Sequence, residues 1–218
     1  MIDCKTCEAP CIKKGFDKNG RQRVYCKSCK NYQLLTYYKL AWLPTINESI
    51  KMLVKEGCGI RSISRILKIA AATVIRRIKT IAREIVKPAL LFNKTYEVDE
   101  LRTFVKKKTN LFWVVSAYER ESKRVVEVAI GRRTTATLQK VTGTLLIAGT
   151  NNIRTDKLGL YNTIIPQELH GTKARGINHI ERFHLNLRTH LKRLTRRSIC
   201  FSKSSLILTC CLKIYLWG

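Results

Sequence analysis

Four cysteines and a handful of carboxylates are the residues of this chain whose types and spacing could do chemistry. Cys4-Lys5-Thr6-Cys7 and Cys26-Lys27-Ser28-Cys29 are two Cys-x-x-Cys pairs with 18 residues between them. That arrangement lets four thiolates converge tetrahedrally on one structural Zn²⁺. Gly15, Asn19-Gly20 and Tyr25 have hairpin character and would carry the second pair. Residues 1–35 hold too little apolar material to build a core alone, so the metal takes its place and the segment reads as a zinc ribbon. Cys11 is a surplus thiol beside the first pair. Cys58, Cys200, Cys210 and Cys211 sit among apolar residues and read as small core hydrophobes. Reduced thiols together with zinc point to the cytosol.

The carboxylates are informative because they are scarce. The 218-residue chain has 42 Lys+Arg against 15 Asp+Glu, a net charge of +27, and a pI near 10.1. With 45% hydrophobic residues, this is a globular composition, so the charge marks a polyanion partner, nucleic acid before anionic membrane. From Val128 to Gly218 only Asp156, Glu168 and Glu181 oppose 15 Lys+Arg. A surface that binds a polyanion has use for carboxylates chiefly where they hold cations. Three of them around two Mg²⁺ (or Mn²⁺) ions are what phosphodiester hydrolysis and strand transfer require, one ion activating the attacking oxygen and the other stabilising the leaving one.

The elements that must position these acids follow from periodicity. Thr95 to Val105, Asn110 to Tyr118 and Lys123 to Ile130 are β-rich runs joined by short turns, an antiparallel meander. Glu97 and Asp99 share one face of the first run, because side chains alternate. Thr134 to Leu146 is a helical pattern, and Asp156 closes a short strand beginning at Asn151. Ile177 to Arg197 reads as one long basic helix with Ile180, Phe183, Leu187, Leu191 and Leu194 toward the core. Glu181 lies near its start, and Arg188, two turns on, can reach a phosphate beside the metals. Three strands, helix, strand, helix is the order of a ribonuclease-H-like α/β core.

Upstream, Ile50, Leu53 and Val54 start a helical pattern that Gly57 and Gly59 close. Ile60 to Leu67 and Ala71 to Ile85 make two more, ending before Pro88. Ser64 falls where a helix-turn-helix needs a small residue, Val74 and Ile78 where it buries apolar ones, and Lys68 stands where glycine is common in the turn. Arg76, Arg77, Lys79 and Arg83 supply charge for phosphates or guanine edges. Between residues 60 and 88 eight basic side chains oppose Glu84. The plainer alternative is a three-helix connector with a solvated basic face. No signal-peptide pattern opens the chain, and Lys203 and Lys213 interrupt its apolar tail, so a membrane span is not expected.

The cysteine pairs, the helix-turn-helix, Val98-Asp99-Glu100-Leu101, Gly131-Arg132-Arg133-Thr134-x-Ala136-Thr137-Leu138, Thr155-Asp156 and the stretch from Asn178-His179-Ile180-Glu181-Arg182-Phe183 to Arg193-Leu194 resemble the insertion-sequence-one transposases. So does Ile199-Cys200-Phe201-Ser202-Lys203-Ser204. The resemblance implies a multidomain α+β protein. A zinc ribbon (1–35) and a helix-turn-helix domain (46–88) would bind terminal inverted repeats, and a ribonuclease-H-like DDE domain (93–218) would cut and join strands. It assigns Asp99, Asp156 and Glu181 as the Mg²⁺-holding triad, Arg188 as the basic residue after the Glu, and Cys4, Cys7, Cys26 and Cys29 as zinc ligands. Arg182, Lys192 and Arg193 join the DNA contacts, and a homo-oligomer on DNA in the bacterial cytoplasm is implied. The family's second Asp is usually followed by Gly-Trp, and here Lys157-Leu158 follows. Two competing readings are a repressor that binds the element's ends without cutting them and a decayed transposase. A third, an RNA-binding zinc-ribbon protein, accounts for the charge but not for the placed acids.

Overall fold

The computed structural model describes residues 2–35, 40–172, 176–195 and 200–218. It divides into two compact units, Met1–Leu43 and Pro44–Gly218.

In the first unit β1 (Cys11–Phe16), β2 (Gln22–Cys26) and β3 (Tyr32–Leu34) form an antiparallel sheet in chain order. The turn between β1 and β2 is tied by the Asp17 carboxylate, which accepts the N–H groups of Asn19 and Arg21 at 2.8 and 2.9 Å. Gly20 adopts a φ of +75° there, a conformation that costs a glycine little. Among the described residues of this unit only Val24 joins Cys4 and Cys26 as buried hydrophobic material, so apolar burial alone contributes little to holding the sheet.

The second unit begins with α1 (Ile46–Lys55), α2 (Ile60–Leu67) and α3 (Ala71–Glu84). They enclose Ile50, Val54, Val74 and Ile78, as the periodicity predicts, together with Ile46 and Ile63, while Leu53 is half-buried. Lys68 takes the left-handed conformation between α2 and α3, φ +53°. The Ser64 hydroxyl donates to the Ile69 carbonyl across the same turn at 2.6 Å.

Next come β4 (Thr95–Phe104), β5 (Leu111–Glu119), β6 (Arg124–Gly131), α4 (Thr135–Ile147), β7 (Asn152–Arg154), α5 (Gly159–Asn162), β8 (His170–Gly171), α6 (Asn178–His190) and α7 (Ser205–Trp217). The sheet order is β6-β5-β4-β7-β8, with the first three strands antiparallel and β7 and β8 parallel to β4. Strand alternation sends Tyr96 and Val98 to the face that packs with Leu138, Val141 and Leu145 of α4. It sends Leu101 and Val105 to the opposite face, against Leu187 of α6 and Leu208 and Leu212 of α7.

Two expectations are corrected. The basic helix does not run from Ile177 to Arg197: α6 ends at His190, Leu191 is extended, and Lys192–Leu194 is a 3-10 turn. Residues 196–199 lie outside the described residues. Leu191 and Leu194 are still buried, so the apolar spacing reads as continuous although the backbone turns. The apolar tail is itself a helix, α7, which packs against α1 and α3 as well as the sheet. Trp217 Nε1 donates to the Val125 carbonyl at 2.9 Å. Cys210 and Cys211 are buried within α7, whereas Cys200 is exposed rather than part of a core. Among the described residues no helix is long and apolar enough to cross a membrane.

Candidate active site

Asp99 and Asp156 are brought together by strand register. β4 and β7 pair in parallel with Thr95 opposite Asn152 and Glu97 opposite Arg154, an offset of 152 − 95 = 57. Continued two places it sets Asp99 level with Asp156, since 156 − 99 = 57. β7 stops at Arg154, so Asp156 lies just past its strand, while Asp99 is within β4 and opposite Ser116 of β5. Asp156 Oδ1 accepts the Leu158 N–H at 3.0 Å and so closes its own turn.

Glu100 completes the cluster. Asp99, Glu100 and Asp156 each offer a carboxylate oxygen, and these oxygens all lie within 4.8 Å of one another. That is the separation at which like charges favour a shared cation. Asp99 Oδ1 accepts the Glu100 N–H at 2.7 Å. Glu100 accepts the Tyr161 hydroxyl at 2.5 Å and pairs with Arg133 at 2.9 Å. Burial first, then the Glu100 charge beside it, pushes the Tyr161 hydroxyl far above its ordinary pKa, so it is held as a hydrogen-bond donor. Burial pushes the Asp99 carboxyl up, but the His184 hydrogen bond and charge, the Glu100 N–H and Arg133 outweigh it and hold the group below the usual value.

Helix α6 supplies the other wall. His184, buried on that helix, sets Nδ1 3.1 Å from Asp99 Oδ2 and Nε2 3.4 Å from the Ser116 hydroxyl on β5. Glu181, one turn earlier, is exposed and stands outside the group of three carboxylates. Arg188 is half-buried, and its guanidinium donates to the Arg102 carbonyl at 3.5 Å. Glu97 belongs to a different arrangement. It is fully buried, accepts the Ile180 N–H at 2.9 Å, and lies 2.7 Å from His179 Nδ1 and 3.4 Å from Arg120.

The basic residues divide. Arg76 and Arg83 are exposed on α3, with Lys79 half-buried between them on the same side and Arg77 also half-buried. Arg182 and Lys192 are exposed. Arg193 is buried and donates to the Ser202 hydroxyl and the Cys58 carbonyl, contacts internal to the protein.

Cys4, Cys7, Cys26 and Cys29 form a second cluster, with ligand atoms within 4.8 Å of one another. The Cys4–Cys29 and Cys7–Cys26 sulfur pairs are both 3.5 Å apart. Four sulfurs tetrahedral about zinc at ~2.3 Å would be about 3.8 Å apart, so the donor set fits that ion. The N–H groups of Thr6 and Cys7 pull the Cys4 thiol down to about 6, and that of Cys29 pulls Cys26 down, toward the thiolate that binds metal. Against the Ala9 and Asn31 N–H groups, Cys7 and Cys29 are pushed up by the neighbouring thiols and burial.

Glu100, His184, Tyr161 and Arg133 have no assigned role in the sequence reading. A carboxylate next to Asp99 should by alternation face the other side of the sheet, which hides it. Only the adjacent acids Asp99-Glu100 in the middle of a β-rich run could have signalled it.

The sequence model of the IS1 transposase family matches residues 94–216. The chain is 40% identical over 108 residues to the insertion element IS1 4 protein InsB of Escherichia coli (strain K12), covering 50% of the chain and 65% of that relative. It is 39% identical over 108 residues to the insertion element IS1 protein InsB of Shigella flexneri, 50% of the chain and 82% of that protein. Among solved structures it is similar to a chain of the simian T-cell lymphotropic virus intasome bound to a PP2A regulatory subunit. That similarity has a TM-score of 0.39 at 14% identity, over 75% of this chain and 66% of that one. The HTLV-2 integrase catalytic core domain in complex with magnesium gives 0.36 at 15%, over 57% and 86%.

Proposed function

Because this chain belongs to the IS1 transposase family, we propose that it binds the terminal inverted repeats of its own insertion sequence and performs divalent-metal-dependent DNA cleavage and strand transfer. The observation that carries the reading is the gathering of Asp99, Glu100 and Asp156 in a chain of net charge +27. Sheet order β6-β5-β4-β7-β8, with helices on both faces, Asp99 within the central strand β4 and Asp156 just past the end of its neighbour β7, supports a ribonuclease-H-like catalytic domain.

Asp99 and Asp156 hold the Mg²⁺ or Mn²⁺ ions, with a third carboxylate from Glu181 or Glu100. Bound ions would lower the pKa of the attacking water or 3′-hydroxyl and stabilise the leaving oxygen. His184 orients Asp99 from the helix side, and Tyr161 and Arg133 fix Glu100. Arg188, two turns after Glu181, takes a phosphate oxygen next to the reacting one. Residues 1–35 form a zinc ribbon on Cys4, Cys7, Cys26 and Cys29, and Arg76, Arg77, Lys79 and Arg83 of the helix-turn-helix contact the repeat. Arg182 and Lys192 bind backbone phosphates nearer the carboxylates. Arg193, buried against Ser202 and Cys58, holds the fold instead of contacting DNA. Pairing two element ends calls for two or more copies of the chain on DNA.

The test is strand joining with Mg²⁺ on DNA carrying the element's ends. Asp99→Ala and Asp156→Ala should abolish joining and leave end binding roughly intact; joining that survives in both variants overturns the reading. Glu181→Gln against Glu100→Gln identifies the third carboxylate by which one stops the reaction.

A further inference from the structure

A cavity of about 580 Å³ opens where the sheet meets the end of α7, within the range of small-ligand clefts, ~300–1,000 Å³. Tyr118, Phe183, Tyr215 and Trp217 line it, and Lys123 and Arg124 stand among its lining. Lys87 lines it as well, paired with Glu127; four rings and three cations suit a planar base carrying a phosphate.

The position of the cavity narrows the ligand further. Tyr118 lies opposite Glu97 and Ser116 opposite Asp99 in the β4–β5 pairing, so the Tyr118 ring is on the sheet face that carries the Asp99 carboxylate. A row of rings joins the two places. Tyr118 and Phe183 have centroids 6.2 Å apart, Phe183 and His184 are 5.8 Å apart, and His184 bonds Asp99. The acids near the cavity are paired locally, Glu127 with Lys87 at 2.5 Å and Glu119 with Arg124 at 3.9 Å, Glu119 also accepting the Ser122 hydroxyl at 2.8 Å. Lys123, exposed on the turn before β6, adds positive charge at the rim.

We infer that this cavity receives one unstacked nucleotide of the DNA held at the carboxylates, its base among Tyr118, Phe183 and Trp217 and its phosphate at Lys123. The inference rests on the transposase reading for its substrate. It goes beyond that reading in assigning a site for a displaced base to residues that neither hold metal nor belong to the helix-turn-helix. Removing a base from the stack beside the reacting phosphate opens the backbone to in-line attack, and the rings compensate for the lost stacking.

The experiment compares two duplexes, one with a single unpaired 2-aminopurine and one with that base paired, bound to the full-length zinc-loaded protein without Mg²⁺. The wild type should bind the unpaired form at least about five-fold more tightly, the equivalent of one stacked base, with a drop in 2-aminopurine fluorescence. Tyr118→Leu should lose both effects while binding paired duplex as before, and Tyr118→Phe should keep both. Lys123→Ala, on an exposed turn where folding is not at risk, should weaken the unpaired form more than the paired one. Equal affinities with unchanged fluorescence in the wild type overturn the inference. So does a preference that survives both Tyr118→Leu and Lys123→Ala. Strand joining is measured separately. A protein that joins strands without the preference sinks only the nucleotide site, and one with the preference that joins nothing sinks only the transposase reading.

Discussion

Glu97 fastens helix α6 to strand β4, its Oε2 accepting the Ile180 N–H at 2.9 Å in the first turn of that helix. Asp99, two residues on and on the same face, contacts the same helix one turn later through His184. One strand therefore makes two carboxylate contacts to one helix. The first satisfies a helix N–H that has no partner within the helix, and the second points an acid at Asp156.

Glu97→Ala should leave the Ile180 N–H unpaired in a buried setting and destabilise the second unit by about 1–3 kcal/mol. Urea unfolding followed by tryptophan fluorescence measures this, and Glu97→Gln, which keeps an acceptor, should lose less. An unfolding midpoint unchanged in Glu97→Ala would show that the contact contributes nothing.

His184→Ala should lower strand joining by about 10–100-fold, the usual cost of removing a group that orients a metal-holding carboxylate. Binding to the element's ends should change far less. A parallel fall in both would mark His184 as part of the fold rather than of the site.

Chelation should strip one zinc per chain and unfold residues 2–35, since Val24 and two cysteines are the only buried hydrophobic material described there. Limited proteolysis before and after chelation checks it: new cuts should fall within residues 2–35, and the cutting pattern of Pro44–Gly218 should not change. A first unit still protected after metal loss would rule out zinc as its principal support.

Lys68→Gly should stabilise the second unit by about 1 kcal/mol, because Lys68 sits at a φ of +53° that a side chain disfavours and glycine does not. The same urea titration reads it as a higher midpoint.

Gly57→Ala should do the reverse. A Cβ at Gly57 would stand 2.1 Å from the His190 carbonyl oxygen, backbone against backbone, at a φ of +72°. The end of α6 would have to move away from the loop after α1, at a cost of at least ~1–2 kcal/mol. Strand joining should fall along with the unfolding midpoint, because α6 also carries His184 and Glu181.

What could be read from residues in order was whatever repeats locally. The strand runs from Thr95, Asn110 and Lys123, the helices closed by Gly59 and Pro88, and the apolar stripe through Ile180 and Leu187 appear as elements because side-chain alternation and the 3.6-residue turn are set by the backbone itself. The paired cysteines, whose spacing is itself the chemistry, were legible for the same reason. The family resemblance picks Asp99 over Glu97, but the physical reason came only from tertiary structure, since the two are equivalent by alternation and differ in what α6 presents to each. Tertiary structure also brought in Glu100, through the 57-residue offset between β4 and β7 and the Tyr161 hydroxyl. It ended α6 at His190 and buried Arg193 against Cys58 and Ser202. Those outcomes depend on which distant segment arrives beside a residue, and a carboxylate or guanidinium takes its role from that neighbour's charge and hydrogen-bonding groups, which local spacing does not encode.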